Sequence, residues 1–123
     1  MMLFETRYFW AVFTSRNAGT TGKLRALFEK SKSAYASSIT VYEVYKQTLA
    51  NEDKAVAALR AATIRREFDI IDVDAQVAEE GADISHRLGV PMADSLIMAT
   101  AKRYNLPCVT DDPHFSEVKR VWV

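Results

Sequence analysis

Short apolar runs alternate with longer stretches whose apolar residues fall on one side, and this alternation recurs along the whole chain. Residues 1–4 are an apolar run ending at Glu5–Thr6, the pattern of a buried strand followed by a turn. Residues 7–15 (RYFWAVFTS) are nearly all apolar, which predicts a helix with a core face and an exposed aromatic face. Residues 17–21 read as a Gly-containing loop, and residues 22–32 as a second helix with Leu24, Leu27 and Phe28 as its stripe. A second short strand covers residues 34–38. Thr40, with Glu43 three residues later, has the spacing of a capping box, opening a helix with its stripe at 41, 44, 45, 48 and 49. An Ala-rich helix follows over 52–68, and a third strand over 69–73. Asp74 is placed to cap a helix over 75–88 that Gly89 stops.

The last third carries the densest chemistry. VPMADSLIMATAKRYNLPCVTDDPHF (90–115) reads as a helix opening around Asp94, a turn at 105–107, and an apolar strand over 107–110. That strand runs into the pair Asp111–Asp112, and a final strand covers 120–123. Strands alternating with helices predict βαβ crossovers, right-handed by the general rule, and a mostly parallel sheet. The expected fold class is α/β, a three-layer α/β/α sandwich formed by one domain over residues 1–123.

Composition narrows the class without naming a partner. With 49% hydrophobic and 26% charged residues and few Gly or Pro, the chain is an ordinary globular one rather than a disordered one. Sixteen basic residues balance sixteen acidic ones, so net charge points to no partner. The distribution says more. Residues 16–32 hold Arg16, Lys23, Arg25, Lys30 and Lys32 against Glu29 alone, a basic segment suited to steering a polyanion, or else a solvated helix face. A single cysteine, Cys108, excludes an internal disulfide and any cysteine metal site. The opening MMLFETRYFWAVF is interrupted too soon by Glu5 and Arg7 to read as a signal peptide or membrane span, so a cytoplasmic protein with no membrane partner is expected.

Each candidate carboxylate has an ordinary explanation when taken singly. Glu5 is a helix-start glutamate favoured by the helix dipole, Glu43 belongs to a capping box, and Asp94 lies in a first helical turn. Asp112 sits in a D-D-P turn. Their convergence is what changes the reading. Glu5 and Asp112 fall at the ends of parallel strands on one edge of the sheet, where open α/β folds place their sites, and Asp94 opens a helix beside that edge. Carboxylates about 4 Å apart repel by roughly 4 kcal/mol per pair at an effective dielectric near 20. Such a cluster needs protons or a cation, and all-oxygen ligation points to Mg²⁺ or Mn²⁺ and to metal-assisted phosphodiester hydrolysis.

These stretches, namely strand-Glu5-Thr6, SSITVYEV with Glu43, GVPMADSLIMATA with Asp94 and PCVTDDPHF with Thr110 and Asp112, resemble the PIN domain. Within that family they are most similar to the VapC-type toxins of toxin–antitoxin pairs. The resemblance implies an α/β/α sandwich and a dimeric, Mg²⁺- or Mn²⁺-dependent ribonuclease inhibited by an antitoxin protein. It also implies that Glu43, Asp94 and Asp112 match the family's second, third and fourth acids. Thr6 and Thr110 match hydroxyl residues that orient them, and Asp111 falls at a variable position that could place a water. Neither His86 nor His114 corresponds to a family ligand. Glu5 stands where the family almost always has aspartate. The extra methylene moves the carboxylate about 1.5 Å, against a catalytic tolerance of about 0.5 Å. Backbone adjustment with activity kept, weaker metal binding and an inactive variant are the three outcomes this leaves.

Two functions are therefore in play: an endoribonuclease toxin whose basic segment (Arg16, Lys23, Arg25) steers RNA, and a catalytically weak PIN module that acts by binding antitoxin or RNA. A phosphoacceptor receiver domain is excluded, because its acidic pair should follow the first strand. The aromatic face of Tyr8, Phe9, Trp10 and Phe13 is core, or a groove for a partner helix.

Overall fold

The computed structural model describes all residues from Met1 to Val123. Five strands, β1 (Met2–Phe4), β2 (Ala34–Ser37), β3 (Asp69–Ile71), β4 (Cys108–Val109) and β5 (Arg120–Val121), form one sheet in the order β3-β2-β1-β4-β5. Every pairing is parallel. Six helices accompany them: α1 (Thr6–Thr14), α2 (Ala18–Lys30), α3 (Ser38–Asn51), α4 (Lys54–Glu67), α5 (Ala75–Leu88) and α6 (Met92–Arg103). The expected α/β/α sandwich is what the chain forms.

Period-two alternation splits the central strands between two cores. Leu3 and Cys108 face one side, with Val77, Ile84, Ile97 and Met98 of α5 and α6. Phe4 and Val109 face the other, with Tyr8, Phe9, Leu24, Val44 and Ile64 of α1 to α4. Both faces of β1 and β4 are thus covered, which is why their sequences are uninterrupted apolar runs. Between β4 and β5 no helix crosses over; a turn-rich loop, plugged by the fully buried Phe115, makes the connection.

Several local expectations are corrected. Residues 18–21 are helix, not loop: the Asn17 side chain accepts from Thr20 N–H and starts α2 a turn earlier than its apolar stripe begins. Ser37, not Thr40, caps α3 by accepting from Ile39 N–H. Thr40 and Glu43 therefore lie inside the helix and form no capping box. Thr40, Val44 and Thr48 point inward, and Leu49, placed in the stripe by its hydrophobicity, is 44% exposed. No aromatic of α1 is exposed either. Tyr8 and Phe9 are buried, while Trp10 and Phe13 are half-buried against the second core.

Gly81 explains how α5 and α6 come together. A Cβ there would stand 2.7 Å from Leu96 Cδ2 and 3.3 Å from Leu96 Cα, so any larger residue would make Leu96 and the α6 backbone give way. The close packing fixes α6, and with it Asp94, over the end of the sheet.

Candidate functional site

Strand order reverses direction at β1: β2 and β3 lie on one side of it and β4 and β5 on the other. Open α/β sheets have a crevice at such a point, outside the carboxyl ends of the strands. Glu5 leaves β1 there, and Thr110 leaves its neighbour β4.

Glu5 caps α1, and its Oε2 accepts from Arg7 N–H (3.1 Å) and from the Thr110 hydroxyl (2.6 Å). Only 2% of the residue is exposed. Burial pushes its pKa up from 4.5 to about 7; the two hydrogen bonds oppose the rise, and the charges of Asp94 and Glu43 add to it. Glutamate is not a favoured N-cap residue, whereas aspartate is. The longer side chain here folds back to make the capping bond while keeping its carboxyl in the crevice.

Glu43 reaches the same place from α3. The Thr6 hydroxyl donates to its Oε1 at 2.7 Å and lies 3.2 Å from Thr40 Oγ1, so three helical positions from two helices are linked. Burial raises the Glu43 pKa, the Thr6 bond opposes this, and the Asp94 charge reinforces it. Asp94, in the first turn of α6, is likewise raised by burial, with His114 opposing and Asp112 reinforcing. Asp112 is positioned by its backbone: its N–H donates to Thr110 Oγ1 at 3.1 Å, and its Oδ1 accepts from His114 N–H at 2.9 Å.

Glu5, Glu43 and Asp94 lie close enough for their charges to raise one another's pKa values, Asp94 is coupled to Asp112 in the same way, and Thr6 and Thr110 hold two of the four. Asp111 does not join the cluster. It faces outward and pairs with Arg7, whose Nε is 2.9 Å from its Oδ1. Arg16, Lys23 and Arg25 are exposed, and α1 carries the chain away from Glu5 before Arg16 is reached. Arg25 lines a separate groove of about 330 Å³ floored by Phe9, Phe13, Phe28 and Phe68.

One neighbour of the acids was not foreseen, and a second, His114, matched no ligand of the family. Arg7 sits beside the site as the partner of Asp111. His114 Nδ1 lies 2.8 Å from Asp94 Oδ2 and 3.5 Å from Asp112 Oδ1. The spacing of His114, two residues beyond Asp112 in a turn, was the available signal; the approach of α6 that makes it meaningful was not visible in the chain.

The fold defines the class: a parallel α/β/α domain with carboxylates at the carboxyl end of its sheet. The chain matches the PIN domain over residues 2–121 and belongs to that family. No curated protein matches it. Among solved structures, a toxin–antitoxin complex from Klebsiella pneumoniae is 21% identical, with 98% of this chain and 96% of that one covered and a TM-score of 0.75. A sarcin–ricin loop cleaving VapC toxin from Mycobacterium tuberculosis is 20% identical, with coverage of 94% and 93% and a TM-score of 0.80. A FitAcB structure from Neisseria gonorrhoeae is 24% identical, with coverage of 98% and 96% and a TM-score of 0.77. At these identities what is shared is the fold.

Proposed function

We propose that the protein is a metal-dependent endoribonuclease, the toxin of a VapBC-type toxin–antitoxin pair, with Mg²⁺ or Mn²⁺ held by Glu5, Glu43, Asp94 and Asp112. The observation that carries this reading is the gathering of four carboxylates at the switch point of a PIN domain. Burial and mutual repulsion raise the pKa of three of them, so the charged cluster needs a counter-ion. An all-oxygen donor set of this kind fits a hard divalent cation. Held by these carboxylates, such a cation would supply Lewis-acid activation of a phosphodiester and of a water.

The chain's own residues do the positioning. Thr110 and Arg7 N–H fix Glu5 Oε2 and leave Oε1 for the crevice. Thr6 fixes one oxygen of Glu43, again leaving the other. Burial raises the Glu5 pKa in the metal-free protein, and a bound cation would hold its carboxylate ionised. RNA is the proposed substrate, with the exposed Arg16, Lys23 and Arg25 drawing it in from a distance. An antitoxin protein and a second copy of the chain are the proposed partners. The phenylalanine-floored groove, rimmed by Arg25, Glu29, Arg66 and Glu67, suits an amphipathic antitoxin helix. The location is proposed to be cytoplasmic; no helix is long and apolar enough to cross a membrane.

One observation favours a second reading. The carboxylate that stands where the family has aspartate is buried, and burial raises its pKa to about 7, which opposes cation binding as expected of a weak or silenced PIN module that acts by binding. Cleavage of mixed RNA with Mn²⁺ or Mg²⁺ separates the two, comparing the chain with Glu5→Asp and Asp94→Asn. The nuclease reading expects cutting that EDTA and Asp94→Asn both abolish. Cutting by Glu5→Asp alone identifies a silenced form, and no cutting by either rejects the nuclease.

A further inference from the structure

We infer that His114 is a nitrogen donor to the cation of this site and that it biases the site toward Mn²⁺ over Mg²⁺. The inference rests on the proposed carboxylate site and adds a ligand and a metal preference to it.

His114 is exposed, yet its position is built. Its N–H donates to Asp112 Oδ1 at 2.9 Å, and the N–H of Phe115 donates to the Asp112 carbonyl at 3.2 Å. The Phe115 ring, fully buried in the core beneath α6, anchors the turn from the other side. The backbone that carries the imidazole is thus pinned immediately before and after it.

The ring points inward at the acids. Its Nδ1 is 2.8 Å from Asp94 Oδ2 and 3.5 Å from Asp112 Oδ1. One ligating atom from each of the three residues lies within 4.8 Å of the others. In an octahedral site with bonds of about 2.1 Å, neighbouring donors stand roughly 3 Å apart. The two observed separations bracket that value. An ion could therefore replace the His114–Asp94 hydrogen bond with small side-chain shifts and no change of fold. With its proton on Nε2, the ring offers a lone pair at Nδ1.

Nitrogen in the donor set discriminates between cations. Mg²⁺ takes oxygen ligands and keeps its waters, whereas Mn²⁺, although it also favours oxygen, is a transition-metal ion at the foot of the affinity order for N/O/S sites and accepts an imidazole nitrogen more readily. Replacing one water or carboxylate oxygen by Nδ1 should therefore help Mn²⁺ more than Mg²⁺.

The test is pulsed EPR of the full chain loaded with Mn²⁺, with Mn²⁺ and Mg²⁺ affinities measured by calorimetry for the chain, His114→Ala, His114→Gln and Asp94→Asn. A directly bound imidazole gives nitrogen hyperfine coupling, which both His114 variants should lose. His114→Ala should weaken Mn²⁺ by at least about tenfold and Mg²⁺ much less. If Asp94→Asn abolishes Mn²⁺ binding but no nitrogen coupling is seen, His114 only orients Asp94 by hydrogen bonding, and this inference falls while the carboxylate site stands. Equal weakening of both cations by His114→Ala overturns it in the same way. If Asp94→Asn leaves Mn²⁺ affinity intact, the carboxylate site and the inference fall together.

Discussion

The Thr110 hydroxyl donates a 2.6 Å hydrogen bond to Glu5 Oε2, joining residues 105 positions apart. Thr110 Oγ1 also accepts from Asp112 N–H, so one hydroxyl ties the end of β1, the end of β4 and the acidic loop together. Both Thr110 and Glu5 are almost wholly buried. Thr110→Val keeps the shape and removes the bond. At pH 8, where Glu5 is ionised, the loss should be about 1.5–3 kcal/mol by urea unfolding, with Thr110→Ser close to the parent. A Thr110→Val protein as stable as the parent would show that the bond does not hold the charged carboxylate.

The metal-free protein should lose stability as pH rises from about 4.5 through about 7. Glu5 has a folded pKa above its unfolded one, so its contribution is full below 4.5 and is lost on passing about 7. Glu43 and Asp94 are raised by burial, and His114 is raised by its bond to Asp94, so all shift stability in the same direction. Glu117, lowered to about 2 by its bonds to Arg87 and Lys102, titrates outside this window. For Glu5 alone the change approaches about 3 kcal/mol. Urea denaturation in EDTA across this range measures it, and Glu5→Gln should flatten the profile.

Added Mn²⁺ or Mg²⁺ should reverse that trend, because a cation binds the ionised carboxylates and competes with protons. The rise in Tm on adding cation should therefore be larger at pH 8 than at pH 6. A pH-independent rise would place the cation elsewhere.

Asp111→Asn and Asp112→Asn should differ sharply although the residues are adjacent. Asp111 faces solvent and pairs with the exposed Arg7, so its loss should cost less than about 1 kcal/mol and leave cation affinity near that of the parent. Asp112→Asn should weaken cation binding strongly. Calorimetric titration of both variants checks this, and similar losses would mean that Asp111 turns into the site.

Phe68 closes the second core, with ring centroids 4.9 Å from Phe9, 5.3 Å from Phe4 and 4.9 Å from Phe28. Phe68→Ala should cost about 3–5 kcal/mol in chemical denaturation. A markedly smaller loss would mean that α1, α2 and α4 can collapse onto the space.

The order of strands and helices was readable because each element buries one face, and burial imposes period two on strands and near 3.6 on helices. Glu5 and Asp112 were readable as acids at strand ends and Asp94 as one at a helix start, whereas Glu43, read locally as part of a capping box, was singled out only by the PIN resemblance. Local hydrogen bonding misled where two caps competed: Ser37 outran Thr40 because it stands where β2 ends, and Asn17 began α2 before any apolar residue marked it. Exposed aromatics were expected on α1 because one helix cannot show that α2 and α4 will cover it. Side-chain partners lay further still from view. Thr110 meets Glu5 only because β1 and β4 are neighbours, and His114 meets Asp94 only because the loop after β4 packs against the start of α6. Spacing along the chain encodes which face a residue takes on its own element. Which faces meet, how dry the crevice becomes and how far a buried carboxylate's pKa rises are properties of the packed whole.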